Sequence, residues 1–188
     1  MKKIFILLFV GSLLQSCSPR YSITISSVES PTDPKQQFGD TKVVKYNANS
    51  FNNNYYEDDY IATLWNITAK ELNFILKNKT GHTIKINWDD VSYVDVQGKT
   101  RRVMHSGVKY SERNNSQPAT SIPRNACISD LLLPTDNVDY DSGKWETKKF
   151  FFFSKNIIGK KMYILLPIMI QNVQNDYLFE FEIGNKQK

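Results

Sequence analysis

The feature that most limits what this chain can become is a strict alternation of apolar and polar side chains. In Thr83-Ile84-Lys85-Ile86-Asn87-Trp88 every second residue is apolar, and Tyr177, Phe179, Phe181 and Ile183 repeat the pattern near the other end. Successive side chains of a strand point to opposite faces, so this spacing buries one face and wets the other, whereas a helix needs a period near 3.6. Turn-forming clusters punctuate the pattern. Asn78-Lys79-Thr80-Gly81-His82 separates Leu72–Leu76 from Thr83, and Gln97-Gly98-Lys99 separates Val91–Val96 from Arg101–His105; both read as hairpins. Met162–Ile170 is apolar on both faces, as a central strand is, but Pro167 cannot donate to a ladder and predicts a bulge or an edge. Ala69, Leu72 and Leu76 also fit one stripe of a short helix, the one helical alternative. Without βαβ alternation, the expectation is an all-β, antiparallel sandwich.

The first residues obey different rules. Met1-Lys2-Lys3 is followed by the uncharged run Ile4–Leu14 and then Gln15-Ser16-Cys17. That run falls short of the ~20 apolar residues needed to span a bilayer, so residues 1–16 read as a cleavable export signal. Leu14-Gln15-Ser16-Cys17 resembles the lipobox of bacterial lipoproteins. The resemblance implies cleavage before Cys17 and two or three acyl chains attached to it. At about 0.8 kcal/mol per buried methylene, several chains anchor stably where one is marginal. Ser18-Pro19-Arg20 carries no acidic run, which by resemblance to Bacteroidetes-type lipoproteins implies an outer-membrane protein facing the periplasm rather than the cell surface. Residues 17–58, rich in Ser, Asn, Pro, Asp and Lys, read as lipidated cysteine, flexible tether and loosely ordered lead-in, despite short alternations at Tyr21–Ile25 and Val43–Tyr46. The sandwich is expected over 59–188.

The formal charge of +5 includes Lys2 and Lys3, and the remainder is spread without the cluster of five or more basic residues that marks nucleic-acid binding. Of the two cysteines, lipidation consumes Cys17. Ala126-Cys127-Ile128 reads as a buried, inert thiol. No disulfide and no thiolate zinc cluster is then expected.

Candidate chemistry is thin. Glu57-Asp58-Asp59 with Asn52–Asn54 supplies oxygen ligands of the kind calcium prefers, but not at EF-hand spacing. Asp89-Asp90, Asp95 and His105 carry titratable groups, and His82 sits in a turn; none shows metal-motif spacing. His105-Ser106 lacks the Gly-x-Ser-x-Gly elbow, and neighbours on a strand face opposite ways. The expectation is no enzyme, no cofactor and no metal.

Asn78-Lys79-Thr80, Ile84–Asp89, Val103–Tyr110, Gln117-Pro118 and Ile122-Pro123 resemble uncharacterised Bacteroidetes-type lipoproteins with an immunoglobulin-like sandwich over roughly residues 60 to 183. That resemblance implies fold and address and brings no activity. Function is therefore sought in two long connections, Gly107–Asn125 and Pro134–Lys148, because connections of this length are usually functional or disordered. Trp65 and Trp88 fall in strand patterns and read as core; Trp145 lies in a long connection. Lys109, Tyr110, Arg113 and Trp145 are the expected contact residues for an envelope protein or, alternatively, a glycan.

Overall fold

A computed structural model describes residues 21–37, 39–46, 54–152 and 154–185. Residues 1–20, and with them Cys17, lie outside the described part. The strands are β1 (Tyr21–Pro31), β2 (Thr41–Lys45), β3 (Tyr55–Glu57), β4 (Ile61–Ile67), β5 (Leu72–Asn78), β6 (Ile84–Ile86), β7 (Ser92–Val94), β8 (Thr100–His105), β9 (Thr120–Ile122), β10 (Cys127–Pro134), β11 (Val138–Asp141), β12 (Lys144–Thr147), β13 (Lys161–Ile170) and β14 (Val173–Asn185). Except for the β11–β12 hairpin, they join in one curled antiparallel path, β2-β1-β14-β13-β7-β8-β10-β5-β4-β3, with β6 also on β13 and β9 on β6. The all-β antiparallel sandwich expected from the alternation is what the chain forms.

The path becomes two layers because β8 belongs to both. Its first half, Thr100–Arg102, pairs with β7, and its second half, Val103–His105, pairs with β10. Between the layers, Trp65 of β4 stacks on Phe74 of β5 at 4.8 Å and meets Phe179 and Phe181 of β14 at 5.2 and 5.6 Å. All four are buried, and each such side chain contributes about 1.5–3 kcal/mol by leaving water.

Pro167 lies inside β13, at neither edge nor bulge. On one side it pairs with Asp176 of β14. On the other, β7 covers Tyr163–Leu165 and β6 covers Ile168–Ile170, so Pro167 falls at the change of partner. The chain detours there through the 3₁₀ turn Trp88–Asp90, and no ladder bond is lost. Leu72–Asn78 is a strand, which removes the helical alternative.

Two further expectations need correction. The turn 78–82 does not close a hairpin: β5 pairs with β4 and β10, whereas β6 pairs with β13 and β9, so the turn crosses between layers. Buried Asn78 shapes this arch, donating to the carbonyls of His82, Ile122 and Pro123 and accepting from the Thr80 amide and hydroxyl. Nor is the whole stretch 17–58 a loose lead-in. β1 pairs with β14 from Tyr21↔Asn185 to Glu29↔Leu178 and buries Ile23, Ile25 and Val28. Where β2 no longer covers β1, the Asn54 side chain substitutes for a strand, accepting from the Ile25 amide at 3.2 Å and donating to the Ile23 carbonyl at 3.0 Å.

Candidate functional site

The connection 107–125 is a pinned loop. Arg102 donates to the carbonyls of Asn114 and Asn115 at 2.9 and 2.5 Å and pairs with Asp89 at 2.7 Å. Asp89 also accepts from the Ser116 hydroxyl, which with the Gln117 amide and Arg102 holds its carboxyl below the usual range. Buried Gln117 accepts from the His105 amide at 3.1 Å and donates to the Val103 carbonyl at 2.8 Å. What projects between these ties is the 3₁₀ turn Tyr110–Glu112 with Arg113 after it.

The second connection contains the β11–β12 hairpin. Its two turn residues, Ser142 and Gly143, have φ of 51° and 87°, the positive pair a tight two-residue turn demands. Val138 buries against Met104 and Leu133 on the outer side of the β8–β10 layer, and Tyr110 packs on the same cluster. Met104 and Leu133 thus face away from the main core and dock both segments side by side.

Docking assembles an aromatic surface around Trp145. The Arg113 guanidinium carbon stands 5.1 Å over its ring, Tyr110 meets it edge-on at 6.1 Å, and Tyr140, its partner across the hairpin, lies at 5.1 Å. Trp145 is 37% and Tyr140 58% exposed. Arg113 is braced by a bond to the Tyr110 carbonyl at 2.9 Å. The surrounding lysines are paired: Lys109 with Glu112, Lys144 with Glu146, and Lys148 with Asp139, whose carboxyl Lys148 holds below its usual range. Among the described residues Arg113 has no ion-pair partner. Such a surface offers flat rings and one guanidinium among lysines that are each paired with a carboxylate, side-chain types that are enriched in contact sites.

Three of the four expected contact residues therefore converge, Tyr110, Arg113 and Trp145. Lys109 does not join them; its ammonium lies 3.6 Å from Glu112 in solvent. Tyr140 is not among the expected residues, although Ser142-Gly143 is a turn dipeptide and places residues 140 and 145 opposite each other across two strands.

Several other candidate groups make contacts within the fold. Asp58 accepts from the amides of Tyr60 and Ile61 and from the hydroxyls of Tyr56 and Tyr177, while Glu57 pairs with Lys79. Asn52 and Asn53 lie outside the described residues. Asp95 organises the β7–β8 turn, accepting from the amides of Gln97 and Lys99 and from Arg101. His105 lies flat on Trp88, with ring centroids 4.1 Å apart, and its Nδ1 is 3.2 Å from Asp130. The Asp130 carboxylate also takes the Ser106 amide. Among the described residues no three His, Cys, Asp or Glu side chains are grouped to hold a metal ion. Cys127 is exposed, contrary to the reading from its apolar neighbours. Alternation turns it to the outer face of β10, opposite Lys77.

Comparison with protein families, with curated proteins and with solved structures finds no match.

Proposed function

We propose that this chain is a membrane-anchored cell-envelope lipoprotein whose sandwich is a non-enzymatic binding or structural module. The aromatic surface on the β11–β12 hairpin is its contact site. Address and contact rest on separate grounds: the lipobox-like Leu14-Gln15-Ser16-Cys17 supports the anchor, and one observation carries the contact site. Residues from two connections far apart in sequence, Tyr110 and Arg113 on one and Trp145 on the other, meet around one exposed ring. A fold gains little by holding a tryptophan and an arginine in solvent, whereas interfaces are enriched in both.

The test is a photo-crosslinking residue at Tyr140 in the anchored chain, with and without joint replacement of Lys109, Tyr110, Arg113 and Trp145. Adducts that disappear with the replacement support the placement; adducts that persist unchanged contradict it.

A second reading, glycan binding, is favoured by Tyr140, whose ring is mostly in solvent beside Trp145 and suits the C–H face of a sugar. Trp65 and Trp88 are buried, so a ligand at the hairpin changes tryptophan emission through Trp145. A flat response across envelope and dietary polysaccharides removes this reading.

A further inference from the structure

If Cys17 carries the anchor, β1 leaves almost no slack. Tyr21 begins β1, and the four residues from Cys17 to Tyr21 reach at most about 14 Å fully extended. The end of the sandwich that holds Tyr21 must then lie against the bilayer, so what that end exposes decides how the protein sits.

The register identifies what lies there. Tyr21 pairs with Asn185 and Ile23 with Ile183. On the other side of β14, the Gly159 amide donates to the Ile183 carbonyl at 2.7 Å and the Ile183 amide to the Lys160 carbonyl at 3.0 Å. Gly159 and Lys160 are therefore two strand spacings, about 10 Å, from Ile23. The segment that arrives at Gly159 departs from the same end. Asp58 accepts from both the Tyr177 hydroxyl and the Ile61 amide, and Trp65 meets Phe181. β4 and β14 therefore rise together, which brings Ala69, just past β4, level with the last residues of β14. The Phe150 amide donates to the Ala69 carbonyl at 2.8 Å.

Between these two ties the chain exposes Phe152, 74% accessible, and Ile158, 37% accessible. Lys149 reaches over the Phe152 ring at 5.5 Å, and Lys70, Lys99 and Lys160 are exposed in the neighbouring turns. Among the described carboxylates of this end, Glu180 holds Lys161, and Asp95 and Asp136 share the single cation Arg101; with Glu71 and Glu182 they leave the end a small net positive charge, concentrated where Lys149 and Lys160 flank the exposed apolar residues.

We propose that this end is a membrane-docking face: Phe152 and Ile158 enter the interfacial region of the bilayer, and Lys149 and Lys160 lie over anionic headgroups. An aromatic beside lysines is the composition that partitions to a headgroup layer, where the ring enters the interface and the ammonium groups are attracted to anionic lipid. The proposal rests on the lipoprotein reading and adds an orientation, since a four-residue link fixes which end faces the bilayer but not which side of that end touches it.

The acylated chain is reconstituted in vesicles of phosphatidylethanolamine and phosphatidylglycerol, with Cys127→Ser and a polarity-sensitive fluorophore on Phe152→Cys or, in a second preparation, on Tyr140→Cys. The expected result is a blue-shifted, lipid-quencher-accessible probe at 152 and an aqueous one at 140. Lys149→Glu with Lys160→Glu, or replacement of phosphatidylglycerol by phosphatidylcholine, lowers the equilibrium constant for insertion at 152 by about thirtyfold or more. A vesicle-bound chain whose probe at 152 stays aqueous overturns the docking face and leaves the anchor standing. A chain that does not sediment with vesicles overturns both.

Discussion

The interior and the β11–β12 hairpin each gather aromatic rings at stacking distance, yet they differ in what the rings do. Trp65, Phe74, Phe179 and Phe181 come from both layers and are out of water. Their contacts are the means by which two layers become one body. Tyr110, Tyr140 and Trp145 are held at similar distances on the outside, supported by the small cluster of Met104, Leu133 and Val138. Ring geometry alone therefore does not separate a core from a contact site. The area removed from water does, because that area sets the contribution to folding.

The contrast is sharpest in Phe181→Ala. It creates a cavity where β14 meets Trp65 and is expected to cost about 3–5 kcal/mol, read as a lowered urea midpoint at unchanged slope. A cost near that of a surface substitution would break the distinction between the two clusters.

Next in size is a charged interior position. Burial pushes the Asp95 carboxyl up, but the Lys99 amide, Arg101 and the Gln97 amide outweigh it and hold it below its usual range. A carboxylate depressed in the folded state stabilises above its unfolded pKa, near 4, and loses that contribution as pH falls through the folded value. Wild type is therefore expected to lose stability progressively below about pH 4. Asp95→Asn should be about 1–3 kcal/mol less stable at neutral pH and show a shallower acid slope. Parallel slopes in denaturation series at several pH values would contradict this role.

The smallest expected effect belongs to the surface cluster. Trp145→Ala removes a cross-strand pair with Tyr140 worth about 0.2–1 kcal/mol, so thermal unfolding should barely change while crosslinking at Tyr140 is lost. A large loss of stability would make the hairpin a structural lid rather than a contact surface.

The same contrast explains what could be read from sequence. Strands such as Thr83–Trp88 and Tyr177–Ile183 were legible because local alternation encodes which face is buried. Their partners were not. The turn 78–82 has hairpin chemistry, and only the distant carbonyls of Ile122 and Pro123, reached by Asn78, divert it into an arch between layers. β1 reads as lead-in because Ser22, Thr24, Ser26 and Ser27 dilute Ile23, Ile25 and Val28, although its inward residues keep enough apolar surface once β14 supplies the ladder. Cys127 sits between apolar neighbours in sequence, but alternation along β10 turns its own side chain to the solvent. At the candidate site, long connections pointed to Tyr110, Arg113 and Trp145, but their meeting depends on Met104 and Leu133 facing outward, which no local pattern encodes. Lys109 carries the same charge as Arg113 and is drawn to Glu112 instead.

The anchor at Cys17 governs both the address and the orientation argued above, and the most direct test is the intact mass of the chain extracted from the membrane fraction of the native cell. The expected species begins at Cys17, lacks residues 1–16 and carries the added mass of two or three acyl chains, while Cys17→Ala leaves no such species. A chain that retains Met1, or one beginning elsewhere with an unmodified Cys17 thiol, would contradict the account.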